Sequence, residues 1–158
     1  MSVSFSDFLT TVPDEQQDFV SDLHEYLTEK GCNVKIKEAR SGYAVSYVWA
    51  GKSIMNWVFR KSGILVRIYG DNVPQYENTI AALPADMQKK MIDSRDCKRL
   101  KDPNECSDTC VMGFVYNLDG LTYKKCRNDG MFFLLSDKTE PHIRALIEAE
   151  LAVRLKAV

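Results

Sequence analysis

With only two histidines, five prolines and eight glycines in 158 residues, the chain lacks much of what several protein classes need. The prolines and glycines are too few for a collagen-like or low-complexity chain. Two histidines, without a G-x-S-x-G, P-loop or G-x-G-x-x-G motif, leave serine hydrolase, nucleotide-triphosphatase and dinucleotide chemistry without their basic parts. Carboxylates are plentiful, but no spacing singles out a pair for glycoside hydrolysis. Neither charge sign prevails: Lys+Arg is 21, Asp+Glu is 22 and the formal charge is −1, so a nucleic acid or an anionic membrane would have to use a local patch. Long apolar runs are missing too. The best candidate, Met131-Phe-Phe-Leu-Leu135, stops at Ser136 and Asp137, far short of the ~20 residues that span a bilayer. The opening residues Met1 to Phe8 show no positive region followed by an apolar core and a cleavage site, so no export is expected and the expected location is cytoplasmic. In a reducing compartment the five cysteines are read as free thiols, metal ligands or redox groups, not structural disulfides.

What is present is an ordinary globular composition, 45% hydrophobic and 27% charged, at a length that suits one domain over residues 1–158. Pro13 followed by Asp14 and Glu15 opens a helix whose apolar stripe, Phe19, Val20, Leu23, Tyr26 and Leu27, ends at Lys30-Gly31. A shorter helical turn around Phe5 to Leu9 is capped by Ser4. From Asn33 to Gly70 the period falls to two, and short breaks at Ser41-Gly42, Ala50-Gly51-Lys52 and Lys61-Ser62-Gly63 predict a four-stranded antiparallel meander. Two short helices follow over residues 76–83 and 84–92, broken at Pro84. After a polar segment from Ser94 to Thr109, Asp119-Gly120 predicts a hairpin between residues 113–118 and 121–125. Met131 to Leu135 is a further strand or the approach to a last helix, opened by Thr139 and Pro141, with Ile143, Leu146, Ile147, Leu151 and Leu155 on its apolar face. The fold class expected is α+β: an antiparallel sheet carrying N-terminal, middle and C-terminal helices, with Leu23, Leu27, Val45, Ile64, Val66, Ile68, Leu146 and Ile147 in the core.

Four of the five cysteines, Cys97, Cys106, Cys110 and Cys126, fall in a cysteine-rich segment spanning 94–130. The three residues between Cys106 and Cys110 match the spacing that lets neighbouring thiolates meet one tetrahedral ion, and four soft thiolates suit Zn2+. Asp102-Pro103-Asn104 supplies a turn before that pair, and the hairpin can return Cys126 toward it. Ordinary reduced thiols and a redox pair remain the alternatives. Thioredoxin-like pairs have two intervening residues, not three, yet Lys98, Arg99, Lys124, Lys125 and Arg127 put positive charge beside the cysteines. Cys32, beside Gly31, reads as a small packed hydrophobe, and His24 and His142 as structural or solvated.

Both faces of the central strands are apolar and aromatic, so helices are expected to cover both sides. The competing expectation is an exposed face built on Trp49, Trp57, Phe59, Arg67 and Tyr69, for a small ligand or a homodimer. Lys89, Lys90, Arg95, Lys98, Arg99 and Lys101 outweigh Asp93 and Asp96 over 89–101, which makes nucleic-acid binding a third functional reading.

The stretch Phe8-Leu-Thr-Thr-Val-Pro-Asp-Glu-Gln-Gln17, followed by a helix and an antiparallel sheet containing Gly51-Lys52 and an aromatic strand, resembles the YdhG-like bacterial proteins of unknown function over residues 5–95. The tail from Cys97 to Cys106, with Cys110 and Lys125-Cys126-Arg127, is similar to uncharacterised proteins of anaerobic Gram-positive bacteria. The resemblance implies a sheet flanked by helices and no catalytic residues. The functional expectation is a bacterial, non-catalytic binding domain with a structural four-cysteine metal site, and the rival is a thiol-dependent redox enzyme or sensor.

Overall fold

Local capping and turn chemistry set the first elements. In the computed structural model, which describes residues 3–40, 42–102, 104 and 113–157, helix α1 (Phe5–Leu9) opens on a reciprocal cap: Asp7 N–H donates to Ser4 Oγ, and Ser4 N–H donates to the Asp7 carboxylate. Helix α2 (Asp14–Glu29) follows Pro13 and buries Val20, Leu23 and Leu27. Strands β1 (Asn33–Ala39), β2 (Gly42–Trp49), β3 (Lys52–Arg60) and β4 (Gly63–Ile68) then form the expected antiparallel meander. Ala50 and Gly51 turn β2 into β3 with φ of 50° and 82°, as a two-residue hairpin loop requires.

The sheet has one strand more than the meander. Its order is β1-β2-β3-β4-β7, where β7 is the short segment Phe132–Leu134. Leu135 N–H donates to Ile64 C=O at 2.8 Å, and Gln16 Nε2 of α2 donates to Leu135 C=O at 2.9 Å. A bulge interrupts the second ladder: Tyr47 faces Met55 while Val48 faces Ser53, so Ile54 is the extra residue. Strict alternation would put Ile54 and Met55 on opposite faces; the bulge falls where the two successive residues are both fully buried.

The chain divides into two compact units, residues 1–67 with 133–144 and residues 68–132 with 145–158. In the first, the expected core residues Leu23, Leu27, Val45, Ile64 and Val66 are all buried. In the second, Ile68, Leu146 and Ile147 are buried. This second unit contains a 3-10 turn (Val73–Tyr76), α3 (Glu77–Ala81), α4 (Ala85–Asp93), α5 (Lys98–Lys101) and a separate two-stranded sheet of β5 (Gly113–Leu118) and β6 (Leu121–Cys126). Asp119 at φ 52° and Gly120 at φ 80° make the expected hairpin turn.

Helix α6 (Glu140–Lys156) brings the most demanding interaction of the second unit. Its Glu150 is fully buried, and each carboxylate oxygen accepts two hydrogen bonds. One takes Asn72 N–H at 3.0 Å and Tyr76 O–H at 2.7 Å; the other takes Asn72 Nδ2 at 2.9 Å and Arg154 Nε at 2.8 Å. Arg154 continues to the Tyr69 carbonyl and to Asp71, which also pairs with Arg127 at 3.1 Å. Burial, and then the Glu150 charge, push the Tyr76 hydroxyl well above its ordinary range, so it stays a donor. Inward Arg154 also accounts for its neighbour: Leu155, expected on the apolar face, is 37% exposed.

A buried ion pair costs most when one partner is removed, because the other charge stays desolvated. Glu150→Gln is therefore expected to lower stability in urea denaturation by about 3–5 kcal/mol. The double variant Glu150→Met/Arg154→Met should lose less than the sum of the two single changes, with a coupling of about 1 kcal/mol or more.

Candidate metal centre

The placement of Cys97 begins with a buried lysine. Helix α4 ends at Asp93, where Ser94 Oγ donates to the Met91 carbonyl. Lys125 of β6 is only 3% exposed, and its ammonium meets three oxygens: the Ile92 carbonyl at 2.6 Å, the Ser94 carbonyl at 3.0 Å and Asp96 Oδ1 at 2.8 Å. Three donors find three acceptors, which is what burying an ammonium demands. Held this way, the chain after α4 runs along β6 as a short third strand. Asp96 bridges Lys125, Cys97 N–H donates to Lys124 C=O at 2.9 Å, and Cys126 N–H donates to Arg95 C=O at 3.3 Å.

That register puts Cys97 opposite Lys124, two residues from Cys126 and hence on the same face of β6. On the other side of β6, Cys126 pairs with Gly113 of β5. A Cβ at Gly113 would lie 2.7 Å from Cys97 Sγ and 2.8 Å from Leu100, so only glycine lets the Cys97 thiol sit this close to the strand. Cys97 and Cys126 thus converge on Gly113; neither is in a disulfide, Cys97 is buried and Cys126 half-buried, and Arg95 Nη2 lies 3.7 Å from Cys126 Sγ. One tight turn beyond Cys126, Asp129 accepts Arg95 N–H at 3.4 Å through Oδ2, while its buried Oδ1 has no hydrogen-bond partner among the described residues.

Cys106 and Cys110 lie outside the described residues. The chain departs toward them after α5 and Asp102, whose carboxylate accepts Asn104 N–H, and re-enters at Gly113. Among the described residues no three His, Cys, Asp or Glu side chains gather closely enough to hold an ion, so a site at this corner needs the two cysteines in between. The basic run is spread over α4, the bridge and α5, and Lys89 is paired with Asp93 at 2.6 Å.

The aromatic residues of the sheet take different positions. Trp57 is 1% exposed and packs with Phe8 and Phe19; Phe59 is half-buried against Phe8 and Gly42; Trp49 lies beside Gly31. Arg67 and Tyr69 fall in different compact units. Cys32 is buried, as a packed hydrophobe would be. His142 sits in the first turn of α6.

Sequence reasoning missed a polar chain inside the first unit. Trp57 Nε1 donates to Tyr47 Oη at 3.2 Å, and Tyr47 Oη lies 2.9 Å from His24 Nδ1, with the Phe5 ring stacked on His24 at 3.6 Å. The Tyr47 hydroxyl thus bonds both rings, accepting from Trp57 and sharing with His24 Nδ1 a hydrogen bond whose direction follows the histidine tautomer. Burial holds Tyr47 well above its ordinary range and lowers His24 from 6.5, with Glu25 opposing the second shift. The signal available in the sequence was the place of His24 beside Leu23 and Leu27 on the helix stripe.

A lowered folded-state pKa means that the unfolded chain takes up the proton first. The stability carried by neutral His24 is complete above pH 6.5 and is lost as pH falls from 6.5 through the lower folded value. Urea midpoints compared above and below that window should therefore fall more for the wild-type chain than for His24→Gln.

No protein-family model, no curated protein and no solved structure matches the chain, so its functional reading rests on the geometry of these residues.

Proposed function

We propose that the chain is a non-catalytic binding domain in which Cys97, Cys106, Cys110 and Cys126 hold one Zn2+ that orders the segment between them. The observation carrying this reading is the convergence of Cys97 and Cys126 on Gly113, at the point where the chain returns from Cys106 and Cys110. Four thiolates fill a tetrahedral ion's coordination and leave no open position for a catalytic water, so the ion is structural. The residues from Ser94 to Thr109 contribute almost no apolar side chains beyond Leu100 and the cysteines, so past the stretch that Lys125 anchors this segment owes its order to the ion. The YdhG-like resemblance of residues 5–95 brings no catalytic residue to set against this.

Protein purified without an affinity tag or added metal should carry about one equivalent of zinc. Cys97→Ser and Cys126→Ser should each lose it. A chelator should loosen the segment from Ser94 to Thr109 while the fluorescence of Trp49 and Trp57, which lie in the other compact unit, stays unchanged. Less than about half an equivalent of zinc or iron at native stability would overturn the proposal. One fast-reacting thiol in the native, metal-replete protein would favour the redox rival, and a salt-sensitive gel shift would favour the nucleic-acid reading.

A further inference from the structure

Among the described residues the sheet of the first unit ends on β1, which pairs there with β2 alone, in unbroken register from Asn33 opposite Val48 to Ala39 opposite Gly42. Every second residue of such a strand turns its N–H and C=O away from the sheet. An open cleft of about 1200 Å³ runs along this edge. Its lining takes Val34 and Ile36 from one face of β1, Lys35 and Lys37 from the other, and Ala44 and Ser46 from the neighbouring β2, so both faces of the edge strand border it. Val3 and Tyr43 extend the apolar wall. Lys35 and Lys37 are exposed, whereas Val34 and Ile36 are half-buried. Asp7, also in the lining, keeps an ionised carboxylate held by Ser4 N–H and Oγ, and Glu38 closes one end; Glu38 alternates with the lysines along β1, so the face carrying Lys35 and Lys37 has no acid of the strand on it.

We propose that the free edge of β1 is a docking site for an extended acidic peptide segment, added to the sheet as a further strand. Main-chain groups of β1 supply the hydrogen bonds. Side chains supply the selection: alternate acidic residues of the partner lie over Lys35 and Lys37, and its apolar residues lie over Val34 and Ile36. The same lysines disfavour a second copy of this chain. Any antiparallel pairing of β1 with itself over most of its length that keeps apolar opposite apolar sets lysine against lysine. This gives the binding-domain reading its occupant and draws nothing from the metal, so failure of the peptide test leaves the zinc measurement standing.

The test is a titration of the isotope-labelled full chain, at low ionic strength, with synthetic peptides of about eight residues. One alternates Glu with Val and the other alternates Lys with Val. Amide shifts should concentrate in residues 33–39, and the Glu-Val peptide should bind about tenfold more tightly. Lys35→Glu/Lys37→Glu should invert that preference. Should the double variant fail to fold, weakening of the Glu-Val complex by added salt serves as the electrostatic readout. A Glu-Val peptide N-methylated at alternate residues should lose binding, since it cannot donate to β1. Equal affinity for the two peptides, shifts outside β1 and its neighbours, undiminished binding of the N-methylated peptide, or concentration-dependent self-association through β1 would each overturn the proposal.

Discussion

A charge taken out of water must be met by as many partners as it has protons or lone pairs, and the second compact unit is organised by two charges that obey this rule. Glu150 gathers Asn72, Tyr76 and Arg154 around one carboxylate, and through Arg154 it fixes Asp71 and Arg127. Lys125 gathers the end of α4 and Asp96 around one ammonium. Neither charge adds much net stability over a well-packed apolar substitute. What each supplies is register: a helix end or loop one residue out of place would leave a buried charge unmatched.

This bears on the cysteines. A two-stranded hairpin is marginal in water, and β5–β6 gains a third chain because Lys125 holds residues 92–96 against it. Cys97 is the next residue, so the position of its thiol follows from a lysine outside the cysteine set. Gly113 then allows the thiol its close approach to the strand. The corner is built by a salt bridge and a missing side chain, and the cysteines follow.

Much of the fold could be read from period and turn chemistry. The stripe of α2, the three short meander connections and the Asp119-Gly120 turn are local signals, each written in a few consecutive residues, and the elements form where those signals stand. Pairings between distant residues are not written locally. Nothing in Phe132–Leu134 says that it belongs beside β4, and nothing in Ser53-Ile54-Met55 announces a bulge. The Glu150 network had a legible sign that the apolar pattern concealed: positions 143, 146, 147, 150, 151 and 154 keep helical spacing, and two of them are charged. Of the candidate site, the clustering of cysteines was visible, but the convergence on Gly113 needed the β5–β6 register and the Lys125 anchor.

The sheet order also has a consequence for synthesis on the ribosome. The outer edge of β4 is covered by β7, which is encoded more than sixty residues later, after all of residues 68–131. At roughly 5–20 residues per second, the edge waits several seconds for its partner. Throughout that interval Gly63-Ile-Leu-Val-Arg-Ile68 presents an open, β-branched strand with Arg67 as its one charge. Such an edge can pair with another nascent chain. The speed with which the chain reaches Leu135 therefore sets how long the growing protein carries a sticky margin, and a pause in translation between residues 68 and 131 prolongs that hazard.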